Sequence, residues 1–105
     1  MSNVVEFNSF DTSSNELWKK FGERKNFEVS LYHHNRDSEP HIHINDRPSS
    51  IEIDHDDEDG TIIVLNYKSL SFTWYEKNHH TNLSNGAVVF SSKHDSDTYW
   101  IIDFH

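Results

Sequence analysis

His41 and His43 stand two residues apart in a stretch of alternating polarity, His-Ile-His-Ile. On a strand that spacing puts both side chains on one face, where two imidazole nitrogens can chelate a metal ion. A metal site needs three or four ligands with groups behind them to orient the rings, and His33, His34 and His55 could supply them only if folding brought them in. A second cluster is anionic. Six carboxylates fall within eight residues: Glu52, Asp54, Asp56, Asp57, Glu58 and Asp59. Like charges this close repel by about 1 kcal/mol per pair at ~4 Å in water, so the cluster does not serve stability. It either keeps a sheet edge solvated and unpaired or faces a cationic partner.

Other chemistries are excluded more sharply. The His-x-His spacing resembles that of cupin-type β-barrels, but their pattern goes on to an acidic residue after three or four intervening positions, where this chain has Arg47 and Pro48. The Gly- and Pro-containing run leading to a third histidine is also missing. Asp54-x-Asp56-x-Glu58 begins like a calcium loop and then fails, with Asp59 at the sixth position in place of Gly and Leu65 at the twelfth in place of Glu. No serine sits in a Gly-x-Ser-x-Gly elbow, there is no cysteine, and glycine occurs only at 22, 60 and 86, so neither a nucleophile elbow nor a phosphate-cradling loop is present. Paired carboxylates abound around 52–59, but a glycosidase pair needs a cleft that pushes the two pKa values apart. The expectation is a protein that is not an enzyme and has no cofactor and no metal; a small metal-binding β domain using His41 and His43 is the alternative.

Charge and composition point the same way. The chain of 105 residues has a formal net charge of −9, which opposes binding to a phosphate backbone, since that needs clustered Lys and Arg to release counterions. A basic protein is the better partner, because long-range attraction speeds the encounter. No apolar run approaches the ~20 residues that span a bilayer, and the first residues lack the basic and apolar regions of a secretory signal. Together with the absence of cysteine this makes the cytosol the expected compartment, with no nucleic acid and no membrane as partner. Only 33% of residues are hydrophobic but 13% are aromatic, so one modest core built on rings is expected in a single domain over 1–105.

The elements that must position these residues follow from periodicity. Asp59-Gly60 lies between two alternating runs and reads as a two-residue turn, which makes 51–58 and 61–67 an antiparallel hairpin. Alternation then places Glu52, Asp54, Asp56 and Glu58 on one face and Ile51, Ile53, His55 and Asp57 on the other. If the turn is longer, Asp56 to Asp59 crowd it instead. Leu17, Trp18 and Phe21 at one-turn spacing indicate a short helix over roughly 9–22, with Ser13 and Glu16 as a possible capping box, Asp11 and Thr12 as competing caps, and Gly22 ending it. Further strands are expected at 4–7, 27–32, 41–44, 70–75, 87–90 and 98–104, with 41–44 joined to the strand at 51 as a hairpin and 78–86 left as a turn-rich connection ending in Asn-Gly. Trp18, Phe72, Trp74 and Trp100 take the core phase. With one helix and no βαβ alternation, the fold class is mainly β (α+β): an antiparallel sheet or sandwich of seven to eight short strands with one N-terminal helix.

In size, acidity, lack of cysteine and lack of a signal peptide, with Glu-Ile-Asp-His-Asp-Asp-Glu-Asp at 52–59 as its densest segment, the chain resembles the small immunity proteins of bacterial toxin–immunity systems, including those of contact-dependent growth inhibition. The resemblance is one of composition over the whole chain, and phage-encoded inhibitors and DNA mimics share the profile. It implies an inhibitor that covers the positive active site of a cognate toxin, a nuclease above all, with the six carboxylates of 52–59 as the contact. A folded module of a larger assembly is the remaining reading.

Overall fold

The computed structural model describes residues 8–33, 40–95 and 97–105. Within them the order is α1 (Phe10–Gly22), β1 (Phe27–His33), β2 (Ile42–Asp46), β3 (Ser50–Asp56), β4 (Gly60–Asn66), β5 (Ser71–Tyr75), β6 (His79–Ser84), β7 (Ala87–Ser92) and β8 (Thr98–Phe104). The strands form two antiparallel sheets, one of five in the order β2-β1-β8-β7-β6 and one of three in the order β3-β4-β5. The fold is mainly β with one N-terminal helix. The strand expected at 4–7 and the histidine at 34 lie outside the described residues.

Alternation along each strand builds the core between the sheets. Phe27 and Val29 of β1, Ile102 of β8, and Val88 and Phe90 of β7 point inward from the large sheet, and Ile51, Ile63, Leu65, Phe72 and Trp74 from the small one. Trp74 is the hub: its ring stacks on Phe90 across the sandwich with centroids 4.7 Å apart and planes 10° apart, and Trp100 meets it edge-on at 5.5 Å. α1 closes one side, packing against β3 and β4 and against β6 and β7.

The helix begins one turn before the expected capping box. Ser9 is the N-cap, its Oγ accepting from the Thr12 amide at 3.1 Å, because Phe10 must already be helical to bury its ring against Phe90. Ser13 is inside, its hydroxyl 2.7 Å from that of Thr81 on β6, and so has no freedom to cap. The buried stripe is Phe10, Ser13, Ser14 and Leu17; Trp18, one position off, is 47% exposed rather than in the core and meets the Phe21 ring edge-on. Gly22 is the last residue of the helix but not its left-handed C′ residue. The amides of Arg24 and Lys25 bond the carbonyls of Phe21 and Lys20, the double closure of a Schellman motif, and the left-handed residue is Arg24, at φ 60°.

Two connections differ from expectation. β2 and β3 do not form a hairpin: β2 pairs with β1 from Leu31↔Ile42 to Phe27↔Asp46, β3 pairs with β4, and the loop 47–49 carries the chain from one sheet to the other. Ile42 therefore lies on an open edge, 40% exposed, whereas Ile51 is buried. The stretch 79–84, expected as a connection, is the edge strand β6. It pairs with β7 through a two-residue Asn85-Gly86 turn with both residues at positive φ, the backbone twist such a hairpin needs.

Candidate functional site at the acidic hairpin

The β3–β4 register runs from Ser50↔Asn66 to Asp56↔Gly60, leaving Asp57, Glu58 and Asp59 between the last paired residues. The turn is thus longer than the two residues expected of Asp-Gly, and only Gly60 has positive φ, 73°. Asp56 explains the difference. Its Oδ1 accepts from the Glu58 amide at 2.7 Å and the Asp59 amide at 3.3 Å, so the carboxylate satisfies the turn that a tighter hairpin would have removed. The β5–β6 connection braces it from the side. The Lys77 amide donates to the Asp59 carbonyl at 3.1 Å, the Thr61 amide donates to Glu76 Oε1 at 2.9 Å, and Glu76 fills the space a Cβ on Gly60 would need.

The six carboxylates accordingly fall into two groups. Glu52 accepts from the Asn66 side chain at 2.8 Å, Asp56 is spent on its own turn, and Asp59 lies 3.8 Å from Lys77 Nζ. The carboxylates of Asp54, Asp57 and Glu58 are exposed and have no hydrogen bond or ion pair among the described residues. Alternation holds as expected on β3, with Glu52 and Asp54 outward and Ile51 and Ile53 inward. Beside the acids, on the same outer face, register places Ile62 and Val64 of β4 and Thr73 and Tyr75 of β5. The apolar strip was not singled out from the sequence, although it had a signal: Ile62 and Val64 cannot share a face with Ile63 and Leu65 in one strand.

The same end of the sandwich gathers most of the histidines, because β1 and β7 finish there and β6 and β8 start there. His55 Nδ1 lies 3.2 Å from Thr61 Oγ1, and His79 Nδ1 donates to the Tyr75 carbonyl at 3.2 Å. Burial pulls the His79 pKa below its ordinary value, the bond to Tyr75 opposes this in part, and the charges of His94 and Lys93 add to the depression. Thr98 Oγ1 donates to Asp95 at 2.7 Å and lies 2.8 Å from His33 Nδ1.

His41 and His43, by contrast, are not brought to a common point. His43 Nε2 is 2.8 Å from Glu28 Oε2, and His105 Nε2 is 3.1 Å from the other oxygen of that carboxylate. Hydrogen bonds from His43, and next from His105, hold Glu28 below the usual carboxylate range. The His41 ring instead lies against His33, with centroids 6.1 Å apart. Among the described residues no three His, Cys, Asp or Glu side chains are placed to hold a metal ion, and no helix is long and apolar enough to cross a membrane.

No protein-family model, no curated protein and no solved structure matches the chain.

Proposed function

We propose that the chain is an inhibitor of the immunity-protein kind, which binds a basic protein partner, a nuclease toxin, and covers its phosphate-binding surface with the acidic hairpin. A nuclease must present Lys, Arg or His to phosphate, and fixed carboxylates satisfy those groups by carrying the substrate's charge in its place. The observation that carries this reading is the state of Asp54, Asp57 and Glu58. They bring three negative charges to a turn braced by Asp56, Glu76 and Lys77, and they have no internal partner among the described residues. Tyr75, with Ile62 and Val64 beside it, supplies an amphipathic anchor that can be desolvated at the centre of such a contact while the acids form its rim.

The test takes the product of the gene next to this one, purified, and measures association and nuclease inhibition at low and high salt. Neutralising the three free acids (Asp54→Asn, Asp57→Asn, Glu58→Gln) removes rim charges worth ~0.5 kcal/mol each, so association at low salt slows about tenfold and the difference closes at high salt. Asp56, which builds the turn, is left in place. An unchanged association rate and salt response in the triple variant, or a neighbouring product that is neither basic nor inhibited, refutes the reading.

A further inference from the structure

The opposite outer face, that of the five-stranded sheet, is hollowed. A cavity of about 230 Å³ is lined by Asn82, Ala87, Val89, Tyr99, Ile101 and Asp103. A second, of about 480 Å³, lies beside it over Glu28, Tyr32 and His43, and Asp103 lines both. The two are therefore one trough crossing β1, β8 and β7, with Asp103 at its middle. Ile101 and Ala87 are buried in its floor although they face away from the core.

Two acceptors in the trough, on Asp103 and Asn82, lack donors among the described residues. The Asp103 carboxylate has no hydrogen bond or ion pair among the described residues. Asn82 Oδ1 is buried with no partner among the described residues, an arrangement that is costly unless a donor reaches it. Glu28, opposite Asp103 in the β1–β8 register, adds a second charge that His43 and His105 hold in place. Tyr32 and Tyr99 stand next to these groups as a stacked pair, 5.4 Å between centroids and 16° between planes. A guanidinium is complementary to this set: it is planar, has five donors and no acceptor, forks onto a carboxylate and stacks on an aromatic face. An ammonium matches the charge without the plane.

We propose that the trough is a receptor for an arginine side chain, presented by a protein segment that lies across the outer face of the five-stranded sheet. It is separate from the acidic hairpin and stands whether or not the hairpin binds a toxin. The probe is N-acetyl-arginine N-methylamide, titrated into the intact protein and followed by backbone amide resonances, with the citrulline and lysine counterparts as comparisons. Saturable shifts centred on Asn82, Tyr99 and Asp103 are expected for the arginine compound. They weaken about tenfold with citrulline and in Asp103→Asn, because one charge-assisted hydrogen bond is lost in each case, while the spectrum of the variant shows whether the fold is intact. Tyr99→Leu keeps the charge and loses the preference for arginine over lysine. Neutralising Asp54, Asp57 and Glu58 leaves the shifts unchanged, so the failure of the hairpin reading and of this one can be told apart. Shifts confined to residues 52–59, equal response to citrulline, an unaltered response in Asp103→Asn, or no saturable shift at all would each overturn the proposal.

Discussion

Replacing Trp74 separates what its packing contributes from what its indole N–H costs. The side chain is 1% exposed, stacks on Phe90 and touches Phe72 and Trp100, so truncation opens a cavity shared by both sheets. Trp-to-Ala changes at such sites lose ~3–5 kcal/mol, against ~5–15 kcal/mol for the whole of a small domain. At about 4–8 °C per kcal/mol for a chain of this size, the melting temperature of Trp74→Ala should fall by at least ~12 °C. The Trp74 Nε1 hydrogen, however, is buried with no acceptor among the described residues, a penalty of ~1–3 kcal/mol that the indole brings with it. Phenylalanine keeps the stack on Phe90 and removes the orphaned donor, so Trp74→Phe should cost under ~2 kcal/mol even after the smaller ring leaves a gap. Calorimetry of the three proteins at one pH decides it. If Phe costs as much as Ala, the N–H has a partner and the packing argument fails; if Ala costs little, the inward phase of β5 is wrong.

Arg24 sits at φ 60° in the helix-closing motif, where a side chain costs ~1 kcal/mol or more that glycine does not incur, so Arg24→Gly should raise stability by about 1 kcal/mol in urea unfolding; a loss would mean that its side chain holds the loop. Stability should also fall on acidification through His79. Its folded pKa lies below the ordinary value of 6.5 that the unfolded chain keeps, so folding favours the neutral ring; that contribution is complete above 6.5 and is lost as the pH falls through the folded value. In His79→Gln the drop in melting temperature between about pH 7.5 and 5.5 should be smaller than in the parent, and an identical drop would place the effect on other groups.

The β3–β4 hairpin was legible because every local cue agreed: alternation on both sides, a glycine where positive φ was required, and polar residues between. Its turn length was not, since Asp56 can close the longer turn with its own carboxylate and nothing in the spacing shows that it does. Strand β6 escaped because His-His-Thr-Asn-Leu-Ser has the composition of a loop; it is held by pairing with β7 and by the buried hydroxyl of Thr81, bonded to the Val89 carbonyl and to Ser13. Trp18 was misplaced for a related reason. Helical spacing names a stripe about three residues wide, and which edge of it is buried depends on where the sheets lie. The carboxylates at the candidate site were all readable, but not which of them are already occupied, because Asn66, Lys77 and the turn amides reach them only through the fold.

β8 lies between β1 and β7, in the interior of the larger sheet. During synthesis, therefore, β1 and β7 wait without their shared neighbour until the chain through Phe104 has left the ribosome, and the larger sheet closes only then. The smaller sheet has no such delay: β3, β4 and β5 follow one another directly, and their pairing needs nothing made later. The acidic hairpin can thus take shape on a nascent chain whose trough does not yet exist. A stalled or shortened product ending before β8 would retain the negative turn and expose Phe27, Val29, Val88 and Phe90, a combination that invites capture by chaperones or proteolysis rather than service as a weaker version of the whole.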